Sequence, residues 1–250
     1  MNYVALDLEM TGLHLKTDHI IEIGAVRMES GNAAAHFSTL VNPHQTLSAH
    51  IIDLTGITDD ALRSAPELSE VLPAFLEFCG DDPILGHNLN FDYSFLAQAC
   101  LNRRLTWHPL GIDTLKLARH FLPAEQKKSL PELRHFFSIE TDQVHRAYDD
   151  AYAAAMVFEQ LYRQYGSSHP AFFEPRPFQI RIKRQQPVTI PQKEQLHRLL
   201  SEYTPSPKKD IPLDQKLSDP QFSIDALTRC EASRLIEQLL QARSDGTTPL

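Results

Sequence analysis

Cysteine is scarce in this chain. Cys79, Cys100 and Cys230 stand alone and no CxxC pair occurs. An odd, scattered set excludes a disulfide framework and a zinc ribbon, and suits a reducing cytoplasm. Long apolar runs are missing too. No stretch approaches the ~18 consecutive apolar residues that a membrane span needs. The opening MNYVALDLEM reaches an acid at position 7 with no basic residue before it, so no signal peptide is expected. No internal repeat is present. What remains is 42% hydrophobic and 22% charged residues, the balance of an ordinary globular protein. The length of 250 residues suits one full core plus a smaller appendage. The expectation is a cytoplasmic protein with no membrane partner.

The net charge of −8 conceals an asymmetry. Residues 1–165 carry 12 Lys and Arg against 22 Asp and Glu, whereas residues 166–250 carry 12 against 10. Within the second part, 176–209 holds eight basic residues against Glu194 and Glu202. A strongly acidic domain repels a polyanion unless cations or a basic neighbour offset its field. Either the basic stretch performs that task or it is a solvated linker that happens to be basic.

Hydrophobic patterning predicts strands at Tyr3–Leu8, Ile20–Met28 and near His36–Val41, with a turn at Glu29-Ser30-Gly31-Asn32. A polar loop is expected from Asn42 to Thr58. Helical spacing follows over Leu68–Cys79, and a short apolar stretch at Pro83–Leu85 leads into Gly86-His87-Asn88. Phe91–Asn102 reads as a helix with Asp92 in its first turn, where the positive end of the helix dipole favours an acid. After a last strand ending at Ile112, helices are expected at Thr114–Phe121, Ser129–Phe137 and Ala147–Tyr165. Ser129 and Glu132 have the spacing of a capping box. Strands first and then alternating strand and helix imply an α/β fold with a mixed sheet. The organisation predicted is a domain at 1–165, a Pro-rich basic linker at 166–191 and a small helical module at 192–250. In that module Gln192–Tyr203 and Arg229–Ala242 form helices, with Thr228 and Glu231 as a capping box. Leu196, Leu199 and Leu200 should pack against Leu235, Ile236, Leu239 and Leu240.

Three short clusters carry the chemistry: Asp7 and Glu9 in ALDLEMTGL, Asp92 in GHNLNFD, and His145 with Asp150 in HRAYDDA. Alternation along a strand puts Asp7 and Glu9 on one face. Carboxylate oxygens are hard ligands suited to Mg²⁺ or Mn²⁺, and two such ions can clamp the attacking and leaving oxygens of a phosphodiester. A neutral imidazole, with its usual pKa of ~6.5, can take a proton from attacking water. Singly, each residue has an ordinary explanation. Asp7 can be a satisfied structural carboxylate, Asp92 a helix-start residue, Asp150 a surface acid beside Asp149, and His145 a core or surface histidine. Jointly, four acids brought within a few ångströms repel one another strongly, and bound cations make such a cluster tolerable.

D-x-E-x-T-G at a strand end, H-N-x-x-F-D opening a helix and H-x-A-x-x-D opening another together resemble the motifs of the DEDDh exonucleases. That group includes the proofreading epsilon subunit of bacterial DNA polymerase III. The resemblance covers roughly residues 1–165, and PHQTLSAHIIDLTGITDDAL and DTLKLARHFLP are also similar to segments of polymerase-associated members. It implies an RNase H-like fold with a mixed five-stranded sheet flanked by helices, here with a small C-terminal helical extension. It also implies 3′→5′ hydrolysis to nucleoside 5′-monophosphates with two Mg²⁺ or Mn²⁺ ions. By position, Asp7, Glu9, Asp92 and Asp150 become metal ligands and His145 the general base. The H-x-A-x-x-D spacing selects Asp150 over Asp149.

In the resembling enzymes the chain after D-x-E grips the 3′-terminal nucleotide, which makes Met10, Thr11, Gly12 and Leu13 candidates for substrate binding. His87, Asn88 and Phe91 of the second motif join them. Leu13 either wedges against the terminal base or is a core residue, and Phe91 suits packing better than substrate contact. Such a grip acts on sugar, phosphate and base faces and gives little sequence preference. DLEMTGL followed by IIEIGA resembles oligoribonuclease more than the epsilon subunit, while GHNLNFD fits the polymerase-associated group. Single-stranded DNA is the expected substrate, with short RNA as the alternative and a catalytically silent recruitment scaffold as a further one. LTRCEASRLIEQLL resembles a helical motif appended to some nucleic-acid-processing proteins. A replication or repair partner is expected to engage residues 176–250, where QFSIDAL also resembles sliding-clamp peptides.

Overall fold

The computed structural model describes residues 1–140, 146–203, 217 and 223–244. The chain divides into two compact units. The first comprises Met1–Leu13, Asp18–Pro43 and Leu47–Ile182, and the second His14–Thr17, His44–Thr46 and Lys183–Leu250.

The first unit is built on β1 (Asn2–Met10), β2 (Ile20–Glu29) and β3 (Asn32–Leu40), a meander of antiparallel strands. Ser30 and Gly31 both adopt positive φ, as a two-residue primed turn between twisted strands requires. β4 (Ile84–Gly86) then joins β1 in parallel, β5 (Leu110–Asp113) joins β4 in parallel, and β6 (Arg176–Pro177) closes the far edge antiparallel to β5. The order is β3-β2-β1-β4-β5-β6. The expected mixed sheet is present, with a sixth, two-residue strand added.

Among the described residues of this unit the α-helices are α1 (Ala49–Thr55), α2 (Asp59–Arg63), α3 (Leu68–Cys79), α4 (Asn90–Asn102), α5 (Thr114–Phe121), α6 (Leu130–Phe137) and α7 (Ala147–Tyr165), which flank the sheet. Tyr3 and Ala5 of β1 and Val26 and Met28 of β2 form one core with α5, α6 and α7. The contribution of α7 is Ala153, Ala154, Ala155, Val157, Phe158 and Leu161, all essentially without exposed surface. Its run of alanines lets that helix approach the sheet closely. Asp7 follows Tyr3 and Ala5 at the same two-residue period, so it emerges on this face.

Three expectations need correction. Residues 42–58 are not uniformly loop, because α1 lies within them. Ser48 caps it by accepting from the Ile51 amide, and Gly56 ends it in the left-handed conformation. Seven residues are too few to display a helical period. Ser129 does open α6, but its side chain makes no capping hydrogen bond. Finally, residues 166–182 belong to the first unit. Phe173 is 1% exposed within its core, β6 pairs with β5, and the Phe178 ring stacks on Tyr93 with centroids 3.7 Å apart. Gly111 makes room for that ring, since a Cβ there would lie 2.2 Å from it.

In the second unit, α8 (Ile190–Glu202) and α9 (Arg229–Ser244) pack through Leu196, Leu199, Leu235, Ile236 and Leu239, with Leu200 at the margin. Leu240 is the exception among the anticipated contacts and is 44% exposed. The Thr228–Glu231 capping box forms, with both reciprocal bonds present at 2.7 and 3.3 Å. Thr189 and Gln192 make a second one at the start of α8. Arg234 donates to the Thr17 carbonyl and the Gln45 side chain, which ties the two short loops to α9. QFSIDAL lies partly outside the described residues. No helix among the described residues is long and apolar enough to cross a membrane.

Candidate active site

The site begins where β1 runs out. Asp7 and Glu9 face the same side of the strand, and in the ladder they stand opposite Gly24 and Glu22 of β2. Register shifts between Glu9 and Met10, so the strand is kinked just past the acids. Asp150, in the first turn of α7, completes a group: Asp7, Glu9 and Asp150 each offer a carboxylate oxygen within 4.8 Å of the others. Asp149 is not part of that group. Asp92 stands in the first turn of α4 and is 5% exposed.

Electrostatics mark these side chains as one cluster. Burial raises the Asp7 carboxyl well above its ordinary range, and repulsion from Asp92, Asp150, Glu9 and Glu22 raises it further. Glu9 is pushed up to about 8, first by burial and then by Asp150, Glu22 and Asp92. Asp92 is pushed up to about 7, again chiefly by burial, although backbone hydrogen bonds at Asp92 itself and Leu8 pull it down. Hard anionic oxygens crowded out of water in this way are suited to a hard divalent cation, which removes both penalties at once. Arg134 of α6 adds one fixed positive charge, with a guanidinium nitrogen 3.6 Å from Asp150 Oδ1.

A fifth acid lies beside these four. Glu22 is 1% exposed, and its carboxylate accepts from the Arg146 guanidinium (Nη2 at 2.7 Å, Nε at 3.1 and 3.2 Å) and from the Ala147 amide at 3.1 Å. Arg146 is the residue before α7 and Ala147 its first member. Two residues on, Gly24 lets the same helix start rest directly on β2. The IIEIGA motif by itself assigns no role to Glu22 or Gly24. The available signal was a charge inside the otherwise apolar run Ile20–Val26.

The remaining candidates are placed as follows. His145 lies outside the described residues. His87 is held at both ring nitrogens, Nδ1 against Thr114 Oγ1 at 2.9 Å and Nε2 against the Lys128 carbonyl at 2.8 Å. Burial lowers its pKa, which favours a neutral ring with Nε2 donating to that carbonyl. Its geometry is that of a brace between β4 and the segments after it. Asn88 is exposed, has φ 66°, and its amide donates to Asp113 Oδ1 at 3.1 Å. Phe91 is partly buried and meets Phe95 edge-on. Thr11 closes the loop that follows β1, since its amide donates to the His19 carbonyl and its hydroxyl accepts from the His19 amide. Gly12 sits against the Asp18 carboxylate, where a Cβ would lie 2.6 Å from Oδ2. Met10 is partly buried beside them. Leu13 is 75% exposed, so it is not a core residue.

Residues 4–158 match the model of the RNase_T exonuclease family. The chain belongs to that family. It is 40% identical over 169 residues to the DNA polymerase III subunit epsilon of Aquifex aeolicus, an alignment that spans 66% of this chain and 84% of that protein. It is 41% identical over 162 residues to the PolC-type DNA polymerase III of Bacillus subtilis, where the match spans 64% of this chain but only 11% of the relative. Among solved structures, exonuclease X in complex with 5′ overhanging duplex DNA superposes with a TM-score of 0.55 at 25% identity, covering 66% of this chain and 93% of that one. The nuclease domain of 3'hExo, a DEDDh family member bound to rAMP, superposes with a TM-score of 0.57 at 22% identity, over 70% and 95% of the two chains. The fold is therefore the RNase H-like one of these exonucleases.

Proposed function

We propose that this chain is a divalent-metal-dependent 3′→5′ exonuclease that shortens single-stranded or frayed DNA ends and releases nucleoside 5′-monophosphates. The observation that carries the reading is the cluster of Asp7, Glu9 and Asp150, with oxygens within 4.8 Å of one another. Asp92 joins it through the charge that it exerts on Asp7 and Glu9. These four would hold two Mg²⁺ or Mn²⁺ ions, which supply Lewis-acid polarisation of the terminal phosphodiester. His145 takes the proton of the attacking water. Leu13, exposed just past β1, meets the terminal base, and Met10, Thr11, Gly12, Asn88 and Phe91 line the approach. His87 orients this second motif.

DNA is favoured because relatives about 40% identical are DNA polymerase III chains. DLEMTGL favours a second reading, an oligoribonuclease-like activity on short RNA. The basic segment 176–209 and the helical module would hold the nucleic acid or dock a replication or repair protein, and the setting is the cytoplasm.

A time course on 5′-labelled single-stranded DNA and RNA of matched sequence tests this, with Mg²⁺, Mn²⁺ or EDTA and with Asp7→Ala as control. The expected result is a ladder shortening from the 3′ end of DNA, absent in EDTA and in the variant. A faster RNA ladder would transfer the assignment to the second reading. Absence of any cleavage would leave a recruitment scaffold that uses the fold without its chemistry.

A further inference from the structure

Glu22 is an unusual residue to bury. It stands directly across the ladder from Glu9, inside a cluster that already contains four carboxylates. A buried carboxylate without partners is strongly disfavoured, so its presence calls for a compensating arrangement. Among the described residues that arrangement comes from the start of α7: the Arg146 fork, and the Ala147 amide, one of the orphan donors that every helix leaves at its first turn. The Asp150 amide in turn donates to the Arg146 carbonyl at 3.0 Å. A strand residue opposite one member of the acid cluster thus grips the helix turn that delivers another.

We propose that Glu22 and Arg146 are positioning residues of the acid cluster: their ion pair sets the start of α7, and so fixes Asp150 relative to Asp7 and Glu9 for binding a divalent cation. This rests on the metal-dependent reading above. Neither residue needs to touch the ion. Their effect is preorganisation, which spares the incoming cation the work of drawing a strand and a helix together.

Charge and geometry make opposite forecasts, and that separates them. If only charge mattered, Arg146→Gln would remove a cation near the cluster and tighten Mn²⁺ binding, while Glu22→Gln would weaken it. If the pair positions α7, both substitutions weaken binding. The experiment is Mn²⁺ titration of the full chain by calorimetry, with Arg146→Gln, Arg146→Lys, Glu22→Gln and the Glu22→Gln/Arg146→Gln double variant, and thermal melting of each in EDTA as the folding control. Arg146 has a side chain 37% exposed, so its variants have somewhere to put a polar group and should fold. The expected result is a roughly 10–100-fold loss of affinity in Arg146→Gln, the range for supporting residues of metal sites. Arg146→Lys should recover part of it, and the double variant should be no worse than the poorer single one. Tighter or unchanged Mn²⁺ binding by Arg146→Gln overturns the proposal. Failure of the unsubstituted protein to bind Mn²⁺ would instead overturn the metal-dependent reading on which it rests.

Discussion

Gly24 of β2 meets the backbone of Tyr148 in α7 with no side chain between them: a Cβ on Gly24 would lie 2.0 Å from the Tyr148 nitrogen and 2.1 Å from the Ala147 carbonyl carbon. Strand and helix are therefore in backbone contact within the same first turn that carries Asp150, at the position that faces Asp7 across the ladder. Gly24→Ala must push α7 off the sheet, because neither obstructing atom can rotate away. Overpacking of this kind costs about 1–3 kcal/mol, occasionally more. Urea unfolding should register that loss, together with a collapse in exonuclease rate as Asp150 moves. Unchanged stability and rate would mean that the helix start is not held where we describe it.

Metal-free stability should fall with rising pH. Asp92 and Glu9 titrate near 7 and 8 in the fold, against ~4 in an unfolded chain. Between those limits the folded state keeps protons that the unfolded chain has released. Stability from this source is thus full below the unfolded values and is lost as pH climbs through the folded ones. In EDTA the melting temperature should drop between about pH 5 and 8, and the gain on adding Mn²⁺ should be larger at the upper end of that range. Glu9→Gln should flatten the EDTA profile. A melting temperature that rises over this interval would remove the four acids as a mutually repelling cluster.

His145→Ala should lower the rate by roughly 10²–10⁴-fold if the imidazole is the general base. Mn²⁺ affinity should stay close to that of the unsubstituted protein, because the residue is assigned to water and not to the ions. Paired kinetic and calorimetric measurements check both. A loss below tenfold would take the role of base from it.

The second unit can be tested by where the chain is cut. Ending it at residue 182 retains β6 and the Phe178 ring on Tyr93, so the first unit should keep cooperative unfolding. Loss of Arg184, Lys183 and the basic residues beyond should weaken single-stranded DNA binding and flatten its dependence on salt. Fluorescence anisotropy at several salt concentrations measures this. An unchanged slope would reduce the second unit to a structural addition.

Much of this protein was legible from local pattern. Long elements with a clear period, such as α3, α4 and α7, fall at or within one residue of the boundaries that spacing predicts. The Asp7–Glu9 pair shares a face for the simple reason that strands alternate. The resemblance selects Asp150 over Asp149 through its H-x-A-x-x-D motif, and Asp150 lies with its oxygen within 4.8 Å of those of Asp7 and Glu9. Where local signal was short, reading failed. α1 has seven residues, less than two full turns, and β6 has two in a Pro-rich segment whose partner lies more than 60 residues away.

What tertiary structure alone decided is how the motifs are held together. Glu22 and Arg146 are 124 residues apart, and nothing in the neighbourhood of either announces the other. Gly24 looks like any small residue until α7 is laid across it, and Arg134 like any surface arginine until α6 brings it to Asp150. Local sequence determines strands, helices and the acids they carry because those depend on neighbours within a few residues. The convergence of the acids depends on long-range packing of a strand, a half-buried ion pair and a helix start, which exist only once the chain has folded.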